Sequence, residues 1–190
     1  MKLKNDSSTA RNCNSIVAGI LIGLGVIINT QTQPPVLGAL LFSFGLLTII
    51  HLKLPLFTGR VGYMGEDLFP ILLSNLCGIM LIVLCYFFAN KNYISILEQA
   101  AIIKFSKTYI EMLFGGIFCG MLIHFAVKCK VPLLTSMAVI IFILIGAEHC
   151  IADFPYVLSV GGINNYLKFL LVIIGNSIGA IFIEKMIHYE

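Results

Sequence analysis

The chain has no tryptophan, and only 11% of its residues are charged. Set beside 59% hydrophobic residues, so small a polar complement cannot cover a soluble globule of 190 residues. The mean hydropathy of +1.00 excludes that class again. No arginine-rich tail or basic run offers a surface to nucleic acid, and the net +3 is mostly lysine placed between apolar runs. Cys13, Cys77, Cys85, Cys119, Cys129 and Cys150 form no C-x-x-C pair, so redox or zinc spacing is missing. Lying mostly within apolar runs, they are expected as small buried hydrophobes. No A-x-A-type cleavage site follows the first apolar run, so residues 15 onward are expected as a retained span behind a polar cytoplasmic N-terminus, 1–14.

What the chain does have is six apolar runs, at residues 15–28, 36–50, 69–88, 109–127, 131–147 and 169–187. The third, fourth and sixth approach the ~20 residues that cross hydrocarbon unaided. The first is short, although residues 11–29 can form a helix with polar ends. The second and fifth stop in sequences that read as unwound. One is His51-Leu52-Lys53-Leu54-Pro55-Leu56-Phe57-Thr58-Gly59; the other is Gly146-Ala147-Glu148-His149-Cys150-Ile151-Ala152-Asp153. Non-helical backbone at membrane depth is tolerated only inside protein or along a water-filled cavity. Ionisable groups at that depth mark a substrate path. Two broken spans at matching places in two halves point to a transport site.

The halves, about 15–90 and 105–187, carry paired features. Asn75 and Gly78 in the third run match Asn176 and Gly179 in the sixth, both as N-x-x-G. Gly19 and Gly23 in the first match Gly116 and Gly120 in the fourth; small residues at that spacing let helices approach closely. Three spans per half is an odd number, so the second half enters the membrane the opposite way. The expected fold is an all-α membrane protein of six transmembrane helices, two of them broken, arranged as an inverted three-plus-three repeat in a single transmembrane domain. With the N-terminus inside, the inner segments hold Lys2, Lys4, Arg11, Lys53, Arg60, Lys128, Lys130 and Lys185, against Lys91, Lys104, Lys107 and Lys168 outside. Eight against four predicts cytoplasmic N- and C-termini; the membrane is expected to be the plasma membrane.

These residues resemble the formate/nitrite transporter family, the aquaporin-like small-anion channels. The resemblance runs from about residue 15 to the end. It rests on Phe42-Ser43-Phe44-Gly45-Leu46, Leu56-Phe57-Thr58-Gly59, Lys104 followed by Tyr109-Ile110-Glu111, Phe142, the stretch from Gly146 to Asp153, and Gly175-Asn176. The N-P-A signature of true aquaporins is missing. The resemblance implies six spans per protomer, a pore through each, and a homopentamer. It implies that His149 is the central pore histidine, that Thr58 faces it from the opposite loop, and that Lys104 draws anions towards the pore. Phe42, Leu46 and Phe142 would form apolar constrictions on either side. Asn75 and Asn176 would satisfy backbone groups freed at the breaks. Gly120 stands where many members have an asparagine, and His124 lies one turn later.

Spacing bears on these roles independently. Phe42 and Leu46 are i,i+4 and share a helix face; Phe142 and His149 are two turns apart, on one side if the helix runs that far. An apolar ring cannot strip a hydrated ion cheaply. A pore closed by Phe42, Leu46 and Phe142 is therefore expected to favour a neutral permeant or a transiently protonated anion. The resemblance implies a small monovalent anion of a weak acid (formate, nitrite, hydrosulfide, acetate or lactate), passing passively or coupled to protons. An imidazole can give and recover a proton, or donate one N–H while neutral; the sequence leaves both open. Glu148 is expected to support the broken backbone, because a carboxylate repels anions, and Glu111 to be a helix N-terminal acid. His51 and His188 are read as interface residues, and His124 as a helix-packing partner. No cofactor is called for. Two other readings compete: a neutral-solute facilitator, and a metalloenzyme using Glu148, His149 and Asp153, whose last two residues have i,i+4 spacing but no second ligand cluster.

Overall fold

The computed structural model describes residues 8–65 and 67–187; His188, Lys2 and Lys4 lie outside them. The described chain forms nine α-helices: α1 (Ser8–Gln31), α2 (Pro35–His51), α3 (Phe57–Arg60), α4 (Leu68–Ala89), α5 (Tyr93–Phe105), α6 (Tyr109–Cys129), α7 (Pro132–Leu144), α8 (Cys150–Val160) and α9 (Ile163–Met186). A 3-10 turn, Val61–Tyr63, follows α3. Four helices, α1, α4, α6 and α9, are long and apolar enough to cross a membrane alone. The other two crossings are assembled from pieces, α2 with α3 and α7 with α8. This is the all-α, broken-helix membrane fold.

Local sequence explains where each piece starts and stops. Pro35 and Pro132 occupy the first turns of α2 and α7, where proline's missing N–H is not needed. Lys53 (φ 57°) closes α2 and Gly146 (φ 68°) closes α7, each in the left-handed conformation that ends helices. Leu56 and His149 are then extended, and a new helix begins after each. Glu111 sits in the first turn of α6, where its carboxylate accepts from the Thr108 N–H and the Thr108 hydroxyl accepts from the Glu111 N–H. The second run ends close to α2, but the fifth run overshoots α7 by three residues. Apolarity continues past the backbone break there, so hydropathy alone does not mark it.

Helices α1 and α4 run parallel, as do α6 and α9. Arg11 meets Asp67, Gly19 meets Asn75 and Gly23 meets Ile79. In the second half Gly116 meets Gly175, Gly120 meets Asn176 and Lys128 meets Glu184. At Gly19 and Gly120 a Cβ would overlap the carbonyl oxygen of Asn75 or Asn176, so each pair packs backbone against backbone. The two halves thus repeat the same close approach at the same register. The start of α1, the end of α9 and the Lys128–Glu184 pair lie at one side of the bundle; α5 and the start of α6 lie at the other.

Two expectations change. Helix α5 was not anticipated, although Tyr93, Leu97, Ala101 and Phe105 recur every four residues and are its buried face. Of the cysteines, Cys119 and Cys150 are buried, Cys129 is half-buried, and Cys13, Cys77 and Cys85 are exposed on the outward faces. An apolar span in lipid is apolar on its outside too, as Phe44, Phe88, Phe114 and Ile174 also are, so an apolar run does not imply burial in protein.

Candidate functional site

The two breaks are held by one device used twice. Asn75 accepts from the Phe57 N–H at 2.8 Å and donates to the carbonyls of Ser15 (2.7 Å) and Pro55 (3.0 Å). Asn176 accepts from the Cys150 N–H at 2.9 Å and donates to the carbonyls of Gly116 and Glu148, both at 2.8 Å. Both asparagines are fully buried. Backbone groups released by unwinding would each cost free energy if left unpaired, and a side-chain amide supplies a donor and an acceptor together. The N-x-x-G of each half sets that amide against the break and the glycine against the neighbouring helix.

The paired devices bring Thr58 and His149 together. Thr58, in the first turn of α3, places Oγ1 3.0 Å from His149 Nε2, and both residues are buried. His149 Nδ1 accepts from the Ala152 N–H at 3.2 Å, capping α8. That bond uses the Nδ1 lone pair, so the hydrogen of the neutral ring belongs on Nε2, towards Thr58. Phe142 stacks against the imidazole with centroids 6.1 Å apart and an interplanar angle of 27°. Phe42 meets Phe142 edge-on at 5.9 Å, and Leu46 is buried one turn further along α2. The helical spacing from Phe142 to His149 does not hold, because α7 ends at Leu144. The left-handed turn at Gly146, rather than two helical turns, returns His149 to the Phe142 ring.

Beside this lies a cavity of ≈ 120 Å³, walled by Asn29, Phe42, Lys104, Phe142, His149, Ala152, Asp153 and Tyr156 among others. That is room for several waters or one small acid. Lys104 reaches it from the last turn of α5 but is not a free charge. Its Nζ pairs with Glu148 at 2.5 Å and Asp153 at 3.0 Å, and stands 5.5 Å from the centre of the Tyr156 ring. Lys107 pairs with the other oxygen of Glu148 at 2.5 Å and donates to the Gly146 carbonyl at 2.6 Å. Glu148 therefore holds its segment by side chain and main chain alike, its N–H donating to Gly115 and its carbonyl accepting from Asn176. The resemblance casts Lys104 as an anion attractor; here two carboxylates balance two ammonium groups.

The metal reading fares differently. Asp153 N–H donates to the His149 carbonyl within the first turn of α8, but the side chains diverge, one to Lys104 and the other to Thr58. In the sequence Lys107 stands only as one of four outer-side lysines, and Asp153 only as a candidate metal ligand. Lysines three apart on one helix end, with acids five apart beyond a helix break, were the available signal.

A second charged cluster lies at the side where α1 starts and α9 ends. His124 is fully buried, with Nε2 2.8 Å from Glu184, which also takes Lys128 at 3.0 Å. Lys128 donates further to the Ile187 carbonyl. The ring of Tyr63 lies 5.0 Å from that of His124, and a Cβ at Gly62 would strike the imidazole. His124 thus ties the re-entrant segment of the first half to α6 and α9. His51 is exposed at the end of α2.

The architecture is that of known channels. A pentameric formate channel with formate bound superimposes with a TM-score of 0.82 and 18% identity, over 95% of this chain and 95% of that one. An FNT family ion channel superimposes at 0.80 with 20% identity, over 95% of this chain and 89% of that one. No family profile and no characterised protein matches at the level of sequence. The chain is a multi-pass membrane protein with the formate-channel fold. At such identities the likeness defines the fold and not the permeant.

Proposed function

We propose that this chain is a member of the formate/nitrite transporter family and conducts small monovalent anions of weak acids. The observation that carries the reading is the Thr58–His149 pair, set behind the Phe42–Phe142 closure. Wide hydrated ions cannot pass aromatic rings in contact, and among the described residues no ring of acids lines that closure to favour cations. A small anion that sheds water there needs hydrogen bonds at the narrow point. Nε2–H of His149 and the hydroxyl of Thr58 can provide them. The N-terminus of α8, eleven residues long, opens at the same place, and its dipole favours negative charge. His149 acts in this reading as a neutral hydrogen-bond donor, since its other nitrogen is engaged by Ala152.

The assembly proposed is a homopentamer with one pore per protomer and both termini cytoplasmic in the plasma membrane. The pentameric formate channel of the same fold and the apolar outward faces support the first part. The lysine and arginine bias supports the second. Purified protein in liposomes, offered formate, nitrite, hydrosulfide, acetate, lactate and glycerol in turn, tests the reading. Uptake of one or more of the acids above protein-free vesicles is expected. Passage of glycerol with none of the acids would instead establish a neutral-solute facilitator.

A further inference from the structure

We propose that Asp153 is the proton-exchanging group of the vestibule, and that it loads each entering anion as its neutral acid. The inference rests on the reading of the chain as a weak-acid channel and adds where the proton comes from. Asp153 is 1% exposed and lines the cavity beside His149. Its Oδ1 pairs with Lys104, but its Oδ2 is buried without a hydrogen-bond partner. A buried carboxylate oxygen left alone is costly, and such a group in a native structure calls for an explanation. A proton on Oδ2 breaks no existing bond and turns an orphan acceptor into a donor within the cavity wall.

The neighbouring groups cannot take this part as readily. A second proton on His149 would displace the Ala152 N–H from Nδ1. Glu148 has a lysine on each oxygen. The groups facing Asp153 are Lys104 from α5, Cys119 from α6, and Glu148, Cys150 and Tyr156 from its own segment. Among these, Asp153 alone has a carboxylate oxygen to spare.

Charge balance gives the exchange its direction. Lys104 and Lys107 against Glu148 and Asp153 sum to zero. A proton on Asp153 leaves the cluster at +1, which draws one anion into the cavity, and the anion restores neutrality. The O–H bond of Asp153 then breaks, its electron pair staying on Oδ2, and an O–H bond forms on the anion. The neutral acid passes Phe42 and Phe142 without the desolvation penalty of a charge. Hydronium from the solution on the vestibule side reprotonates Asp153. One anion and one proton thus cross together as the neutral acid, and no net charge moves.

The experiment uses the full chain in liposomes with labelled formate outside, a trapped pH dye inside, and an imposed potassium diffusion potential. The wild type is expected to acidify the lumen in step with formate entry and to ignore the potential. Asp153→Asn should let the lumen acidify at least tenfold less per formate, and its flux should become potential-driven. Asp153→Glu should keep both wild-type properties. An unchanged proton-to-formate ratio in Asp153→Asn overturns the inference while leaving weak-acid passage intact. Failure of the wild type to move any weak acid overturns the channel reading itself, and this proposal with it. Should Asp153→Asn not fold, the wild type and Asp153→Glu still decide: potential-driven formate entry without acidification in both would overturn the proposal.

Discussion

Thr58 Oγ1 stands 3.0 Å from His149 Nε2, although 91 residues separate them in the chain. Neither residue could be placed there by its own helix. Each sits just past a break, and each break is held by an asparagine on the adjoining long helix. The contact is therefore a product of the repeat and reports on both halves at once.

Removing one side of that contact should weaken conduction without unfolding the protein. Thr58→Val deletes a hydrogen bond worth about 1 kcal/mol, so flux of the preferred acid should fall about fivefold with its pH profile unchanged. His149→Asn keeps an amide able to donate, and should lower flux while leaving the proton-to-acid ratio at the wild-type value. Parallel flux and lumen-pH traces from pH 5 to 8 check both. Loss of proton coupling in His149→Asn would return the proton-donor role to the histidine.

The two asparagines should matter to folding more than to transport. Asn176→Ala strips the Cys150 N–H and the carbonyls of Gly116 and Glu148 of their partner. At about 1 kcal/mol for each bond, a loss of ~3 kcal/mol is expected, and Asn75→Ala should match it. Thermal unfolding in mild detergent would register this as a clear drop in midpoint. A wild-type midpoint in either variant would show that water replaces the amide.

Glycine at the helix crossings should tolerate no side chain. Gly120→Ala drives a Cβ into the Asn176 carbonyl, so α6 and α9 must part, and assembly should fail on gel filtration. Gly65→Ala has nothing within 4 Å of the added carbon and serves as the control. Equal behaviour of the two would contradict the close crossing.

Phe142→Ala removes the ring that stacks on His149 and meets Phe42. Larger acids should then gain: the lactate-to-formate flux ratio should rise severalfold. The lost core contact should cost about 3 kcal/mol in stability at the same time. An unchanged ratio would place the narrow point elsewhere, with Leu46 the next residue to truncate.

Replacing Lys104 tests the charge cluster. Lys104→Met leaves Asp153 without its ammonium partner and Glu148 with Lys107 alone. Breaking a buried ion pair by removing one partner costs about 3–5 kcal/mol, so expression or thermal stability should fall before flux can be read. The double variant Lys104→Met with Asp153→Leu, which removes one charge of each sign, should recover much of that loss. No recovery would mean that the pair is not coupled.

The amino-acid sequence by itself determined the class and the outline. Long apolar runs report membrane spans, because hydrocarbon demands about 20 apolar residues whatever the tertiary context. Glycine, proline and charge at 51–59 and 146–153 report the breaks, since those residue types end helices by local sterics. Asn75 with Gly78 and Asn176 with Gly179 made the repeat visible. What only the tertiary structure decided is which groups meet. Lys104 and Lys107 are balanced by Glu148 and Asp153 across some 40 residues of chain, and His124 is bound to Glu184 across 60. Local sequence carries the backbone's own preferences, but a charge takes its meaning from the partner that lies beside it. Here those partners come from other helices, and the fold alone brings them within reach.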